Sequence, residues 1–379
     1  MRMARAARLH GNKCVKIETL PLPDTALAEN HVEVAPAWCG ICQGDVAEYA
    51  QGPECAKKLY TPSAGNPHPL SHQHLPMVIG HEFSAIVTQA HPSVATDFNV
   101  GDRVSIEPIQ GDGDCHMCIQ GRENNCERLS ILGLTQTGGM IERLSVPARK
   151  CHKLEPSISL QVGALVEPLS VAWQGVVNSK HILDNHLDAS VVIIGTGMIG
   201  IATALCLRAV GKFRVLMIGR STARNKMVNG LSLADAVVDF NDTSLSEKLE
   251  NYFQGLGPCC IFDTANSQST FDLGIDLLRK GGMYYTFGQF HNKASISVDM
   301  NKIISNAIVV TGDGCYRSGT FASVIEAISQ GLISTKTLER LVTRRIALGE
   351  VEDRGLKELM ENKDQHIKIL VRVNGDALE

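Results

Sequence analysis

Two kinds of hydrophobic spacing divide this chain. In its first part, apolar residues come in short bursts such as Val32-Glu33-Val34 and Phe83-Ser84-Ala85-Ile86-Val87, separated by Pro- and Gly-rich turns. Such bursts predict short strands of irregular β structure. Val100-Gly101-Asp102-Arg103-Val104 predicts a turn feeding a strand, and residues 52–76 form a Pro/Gly/His-rich stretch with no apolar period. A loop that long is usually functional, and a lid over a cleft is one use for it. Its histidines, His68, His72 and His74, read as solvated loop residues.

Near residue 163 the pattern changes. Val162 to Val177 reads as a helix, Ser190-Val191-Val192-Ile193-Ile194 as a buried strand, and Ile199 to Val210 as the next helix. Phe213 to Ile218, Ala236 to Asp239, Cys260 to Asp263, Met283 to Phe287 and Ile308 to Val310 continue the alternation. This predicts an α/β protein with a doubly wound cofactor domain at 169–309. The remainder, 1–168 with 310–379, forms the β-rich domain. A helix around Phe321 to Gln330 and a strand from Ile367 to Val373 close the chain, and that strand is expected to return to the first domain. There is no internal repeat.

The chain has 379 residues, enough for two domains each with its own core. A net charge of −4 without a basic run argues against a nucleic-acid partner. No apolar run is long enough for a membrane span or a signal peptide. The 12 cysteines are therefore expected to be reduced thiols of a cytoplasmic protein, some of them bound to metal. Cys259 and Cys260, ahead of Ile261-Phe262-Asp263, read as core packing.

Gly195-Thr196-Gly197-Met198-Ile199-Gly200 fits the dinucleotide fingerprint. The first glycine permits the tight turn, the second lets the backbone approach a pyrophosphate, and the third lets helix and strand pack closely. A strand before it and a helix after it make the signal specific. An NAD site needs an acidic side chain at the end of the second strand, yet residues 201–234 contain neither Asp nor Glu. The strand ends Ile218-Gly219-Arg220-Ser221, with Arg224 close behind. Gly219 is expected to leave room for a phosphate and Arg220 to pair with it, so NADP(H) is expected over NAD(H). Thr264, Phe287 and Gly288 complete the candidate cofactor set.

The segment Trp38-Cys39-Gly40-Ile41-Cys42-Gln43-Gly44-Asp45 resembles the zinc-ligand segment of the medium-chain, zinc-dependent alcohol/polyol dehydrogenases. Gly80-His81-Glu82, Val100-Gly101-Asp102-Arg103-Val104, Glu142 after Gly138-Gly139, Glu167-Pro168-Leu169 and the Gly-rich turn match in the same order. The resemblance covers almost the whole chain. It is nearest to the butanediol and sorbitol dehydrogenases, the butanediol branch in particular through Glu48-Tyr49, Gly52-Pro53 and Pro67-His68-Pro69-Leu70. It implies a GroES-like catalytic domain beside a Rossmann cofactor domain, a small-molecule substrate, and a homodimer or homotetramer. It also implies that Cys42, His81 and Glu167 hold a catalytic zinc, that Glu82 is an exchangeable ligand, and that Asp45 orients His81. Cys39 falls on an ordinary core position. Cys115, Cys118 and Cys126 match the family's structural zinc cysteines, with Asp112 where the family has a fourth cysteine. Zinc accepts a carboxylate there.

One departure concerns the proton path. The family usually places Ser or Thr two residues after the zinc cysteine, and a nearby His passes the proton on. Here the positions hold Gly44 and Ala47. The proton must then travel by bulk water, Glu82, Glu48 or the substrate itself. Interconversion of a secondary alcohol and a ketone is the plain expectation. Reduction of an imine or conjugated double bond is the alternative, and a non-catalytic nucleotide-binding homologue is a third.

Overall fold

The computed structural model describes residues 2–22, 26–52, 67–186, 189–288 and 295–374. The chain divides into two units, Met1–Glu167 with Arg317–Glu379, and Pro168–Tyr316. The return to the first unit falls later than residue 310. The last strand of the second unit runs Val309–Asp313 and pairs with Met283–Phe287, which keeps those residues in that unit.

The first unit is β-rich. Among the described residues, its largest sheet has seven strands. The path runs Cys151–Lys153, Arg103–Ile106, Glu82–Ala90, His31–Gly40, Lys368–Arg372, Val342–Ala347, and Leu144–Pro147 also pairs with His31–Gly40. His31–Gly40 is buried along nearly its whole length, which explains why its apolar run is not interrupted by regular polar positions. Two pairings bring distant segments together. Gly40 lies opposite Glu82, and Leu370 lies opposite Gly40. The final strand therefore sits beside the one that leads into Cys42.

The second unit is a six-stranded parallel sheet in the order Ala236–Asp239, Arg214–Gly219, Ser190–Ile194, Cys260–Asp263, Met283–Phe287, Val309–Asp313. The strand order reverses at Ser190–Ile194, the first strand of the sheet in the chain, which makes the carboxyl ends of the central strands the ligand end of such a sheet. Val191 to Ile194 are essentially inaccessible, as are Cys259 to Phe262. The described cysteines are all free thiols.

Candidate functional site

Cys42 leaves the strand His31–Gly40 and caps the helix Gln43–Gln51 in an extended conformation. Its backbone N–H donates to Asp45 Oδ2 at 2.9 Å, closing the first turn on itself. The other oxygen, Asp45 Oδ1, lies 3.3 Å from His81 Nδ1, both residues being buried. Neither atom makes a hydrogen bond, so the contact is electrostatic. His81 enters through Gly80, whose φ is +96° and whose missing Cβ would lie 2.6 Å from Cys39 Sγ and 2.9 Å from Met140 Cγ. No other residue fits there. One ligand atom each from Cys42, His81 and Glu82 fall within 4.8 Å of one another. Burial pushes the His81 imidazole down, but Asp45 and Cys42 beside it more than offset this and hold it well above its ordinary range.

Glu82 is 1% exposed, and a Cβ on Gly40 would collide with its carboxylate. Lys368, 3% exposed, donates to Glu82 Oε1 at 2.8 Å, to Oε2 at 2.5 Å and to the Ile41 carbonyl at 3.2 Å. A buried carboxylate needs such a partner. Burial alone would lower the Lys368 ammonium, and the Glu82 charge reverses that and raises it. Glu167 opens the helix Val166–Leu183, with Pro168 in the first turn where a missing N–H costs nothing. Glu167 is buried and feels His81, Glu82, Lys368 and Asp45. Burial raises its carboxyl to about 7, with His81 pulling the other way and Glu82 adding to the rise. It does not join the 4.8 Å group of Cys42, His81 and Glu82.

A second donor group gathers Asp112, Cys115, Cys118 and Cys126, again within 4.8 Å. Backbone N–H groups aim at the sulfurs. Cys118 N–H donates to Cys115 Sγ at 3.5 Å, and Asp112 and Arg128 N–H donate to Cys126 Sγ at 3.4 and 3.3 Å. Asp112 Oδ1 accepts from Cys115 N–H at 3.0 Å and Oδ2 from Arg128 Nε at 2.9 Å. The Cys115 amide, followed by the Arg128 guanidinium, holds the Asp112 carboxyl far below the usual range. Glu123, within the same lobe, accepts from Lys150 Nζ at 3.0 Å, and Lys150 also reaches Glu107 at 3.1 Å.

In the second unit the Gly-rich turn follows the strand Ser190–Ile194 and opens the helix Met198–Val210 at Gly197. Gly195 has φ +117°, and a Cβ there would strike the Thr264 hydroxyl. One on Gly200 would strike the Gly195 carbonyl. Gly197, by contrast, faces open space, with only an Arg224 guanidinium nitrogen 3.6 Å from its Cβ position. Met198 and Ile199 follow in the first helical turn. Gly219 does not leave room in the way expected. A Cβ would run into Thr196 and Asn225, whose side chains are hydrogen-bonded at 3.0 Å, while Asn225 Nδ2 donates to the Gly219 carbonyl at 2.9 Å. The glycine is required by packing. The Phe287 ring is also buried, stacked on Phe262 with centroids 5.9 Å apart, so only its backbone faces the strand end. There Asn266 Nδ2 donates to the Phe287 carbonyl, and Thr286 Oγ1 donates to Asn266 Oδ1 at 2.8 Å. Ser221 Oγ is taken up as the cap of the helix Thr222–Leu231.

The family model described as alcohol dehydrogenase GroES-like domain matches residues 28–156, and the one described as zinc-binding dehydrogenase matches 198–330. The (R,R)-butanediol dehydrogenase of Bacillus subtilis (strain 168) is 30% identical over 98% of this chain and 100% of its own. That of Saccharomyces cerevisiae is 29% identical over 94% of each. The crystal structure of the 2R,3R-butanediol dehydrogenase from Bacillus subtilis superposes with a TM-score of 0.85 at 29% identity, covering 98% of this chain and 100% of the other. The chain belongs to the zinc-type medium-chain dehydrogenase family. It is an alcohol/polyol dehydrogenase acting on small molecules.

Against this medium-chain dehydrogenase framework, sequence reading missed three residues. Lys368 gave one faint signal, as one of two charges, with Arg372, in the otherwise apolar run Ile367 to Val373. Asn266, left-handed at φ +52°, gave none. Phe240, on the strand end next to Arg220, gave none either. His68 is corrected. It is fully buried, its Nε2 donates to the Leu129 carbonyl at 3.0 Å, and its Nδ1 accepts from the N–H groups of Leu70 and Ser71. Residues 53–66 of the expected lid lie outside the described residues. No helix among the described residues is long and apolar enough to cross a membrane.

Proposed function

We propose that this dehydrogenase transfers a hydride between NADP(H) and a secondary alcohol or ketone of the polyol, diol or hydroxyketone type, with a zinc ion held by Cys42, His81 and Glu167 and with Glu82 as an exchangeable ligand. The observation that carries this reading is the convergence of the Cys42, His81 and Glu82 donors over a buried Asp45. A thiolate, an imidazole and a carboxylate are the donor types zinc takes in catalytic sites. A zinc ion bound there supplies Lewis acidity toward an alcohol or carbonyl oxygen, and the pyridine nucleotide supplies or accepts the hydride.

The residues of this chain then have separate tasks. Asp45 ties the Cys42 backbone to the His81 ring and sets the orientation of both. Lys368 holds both Glu82 oxygens, so Glu82 reaches inward only when that ion pair loosens. Gly44 and Ala47 offer neither hydroxyl nor imidazole, and in this reading water takes over as the proton carrier. The Cβ position of Gly44 lies 3.7 Å from Cys42 Sγ and 4.0 Å from His81 Cε1, ordinary contact distances, so a serine fits. Gly44→Ser is expected to raise alcohol oxidation. A collapse of the native reaction would instead favour reduction of an imine or conjugated double bond.

The lobe formed by Asp112, Cys115, Cys118 and Cys126 takes a second, structural zinc in this reading. Metal analysis should return two zinc ions per chain, and one would remove the lobe site. A second copy of the chain is the proposed partner. Among the described residues Val309–Asp313 is the outer strand of its sheet and exposes Val309 and Val310, and the helix Met300–Ser305 before it exposes Met300 and Ile304, an apolar face of the kind that a symmetric partner covers. The decisive assay measures zinc content together with turnover of diketones, polyols and cyclic imines with NADPH and NADH. A protein without metal and without turnover on any of them would be a non-catalytic homologue.

A further inference from the structure

The strand Arg214–Gly219 ends in an arginine with an uneven environment. The Arg220 guanidinium carbon lies 5.1 Å from the centroid of the Phe240 ring. Among the described residues Arg220 makes no ion pair. Asp239, the nearest acid along the neighbouring strand, turns its Oδ1 to the Asn241 N–H at 2.8 Å. Phe240 itself is fixed. Its N–H donates to the Gly219 carbonyl at 3.0 Å, one step beyond the Gly219–Asp239 pairing, and its half-buried ring packs on the apolar cluster that includes Ile218 and Leu249. One turn later Arg224 reaches back to the Gly-rich turn, 3.6 Å from the Cβ position of Gly197.

A guanidinium has two usable surfaces. Its flat face stacks on an aromatic ring, and its edge carries the N–H donors. When the face is taken by a fixed ring, the edge is left free and already oriented, and less side-chain freedom is lost when an anion binds. We propose that Phe240 is a positioning residue for cofactor selection, the shelf on which Arg220 is held with its edge turned toward the phosphate monoester of NADP(H). This rests on the NADP(H) reading above. Neither Phe240 nor its ring contact can be inferred from the Gly-rich fingerprint, because Phe240 comes from the next strand in the sheet.

The test compares Kd, from fluorescence titration of the reduced nucleotide without substrate, and KM for NADPH and for NADH in the intact enzyme and in Arg220→Ala, Arg220→Lys, Phe240→Leu and Phe240→Trp. Arg220→Ala is expected to raise KM for NADPH by at least about tenfold, the loss of a charge-assisted hydrogen bond. Phe240→Leu is expected to raise it about threefold, the worth of an exposed cation–π contact, with KM for NADH unchanged. Phe240→Trp should restore the parent ratio, and Arg220→Lys should lose part of the NADPH preference, since an ammonium has no planar fork to pair with the phosphate. If the parent prefers NADPH and Arg220→Ala abolishes the preference, yet Phe240→Leu keeps it or raises both KM values equally, the shelf is wrong and the NADP(H) reading survives. If the parent prefers NADH and Arg220→Ala changes neither value, the NADP(H) reading falls and takes the shelf with it.

Discussion

The donor cluster at Cys42, His81 and Glu82 and the one at Asp112, Cys115, Cys118 and Cys126 rest on different supports. In the first, charged side chains do the holding. Asp45 stands beneath His81, Lys368 grips Glu82, and His81 and Glu82 are buried. In the second, backbone amides point at sulfur and carboxylate within a short stretch of chain, and Arg128 covers Asp112 from solvent. The first is assembled by sheet register between remote segments. The second is assembled by local turns. A cluster made by register loses its geometry only if the sheet shifts, whereas one made by turns depends on what the turns enclose.

The largest effect that separates them is on turnover. Cys42→Ala should lower kcat/KM about a thousandfold, since Lewis-acid stabilisation is worth several kcal/mol. Metal content should fall by one zinc while the thermal midpoint stays near that of the parent. Cys126→Ala should do the reverse, losing one zinc and thermal stability while each folded molecule keeps its turnover. Equal loss of turnover in both variants would break the division of roles.

Next in size is the buried ion pair. Lys368→Met strands the Glu82 carboxylate in the interior, and removing one partner of such a pair costs about 3–5 kcal/mol. Urea unfolding should register that loss. The double variant Glu82→Gln with Lys368→Met should recover most of it, because the stranded charge is then gone. A single variant as stable as the parent would mean that the pair is open to water.

A smaller effect is expected in the lobe. Arg128→Gln removes the donor that orients Asp112, and loss of a partner behind a metal ligand weakens affinity about 10- to 100-fold. Asp112→Cys should instead slow zinc loss to a chelator, thiolate being the softer donor. Competition with a chromogenic chelator reads both, and identical release rates in all three proteins would leave Asp112 outside the ligand set.

The contrast also explains what could be read from residues in order. The lobe donors lie within 15 positions of one another, so the three cysteines stand out as a cluster by spacing, and the family resemblance adds Asp112. The parallel strands were visible as apolar runs, because a sheet covered on both faces tolerates no polar alternation. The ion pair between Glu82 and Lys368 spans 286 positions, and nothing local marks it. It exists because Gly40 faces Glu82 on one side and Leu370 on the other. His68 was misjudged for a related reason. Its partner is the carbonyl of Leu129, which a Pro-rich stretch gives no means of anticipating. Gly219 looked like room for a ligand, yet Thr196 and Asn225 fill that side. A glycine reports only that a side chain is excluded, never by what.

The smallest expected effect concerns how the lobe is tied to the main sheet. Lys150 bridges Glu107 and Glu123, His152 Nε2 donates to Glu107 Oε2 at 2.9 Å, and Arg149 approaches Glu123 at 3.3 Å. Burial pushes the Glu107 carboxyl up, but the His152 hydrogen bond and the Lys150 charge outweigh it and leave the group below its ordinary range. A carboxylate depressed in the fold contributes stability that is complete above its unfolded pKa, near about 4.3, and is lost as pH falls through the lower folded value. The anchor should therefore hold at neutral pH and release in acid. His152→Phe keeps a ring against Phe321, whose centroid lies 4.9 Å away, and removes the donor. It should cost about 1.5 kcal/mol near pH 7. The difference from the parent should shrink as pH falls through the lowered folded value of Glu107, below which the carboxyl is protonated in both, and the acid limb of the unfolding curve should move to higher pH. Circular dichroism across pH 2–8 reads this directly. A constant gap between parent and variant over that range would show that His152 acts through packing and that Glu107 does not govern the anchor.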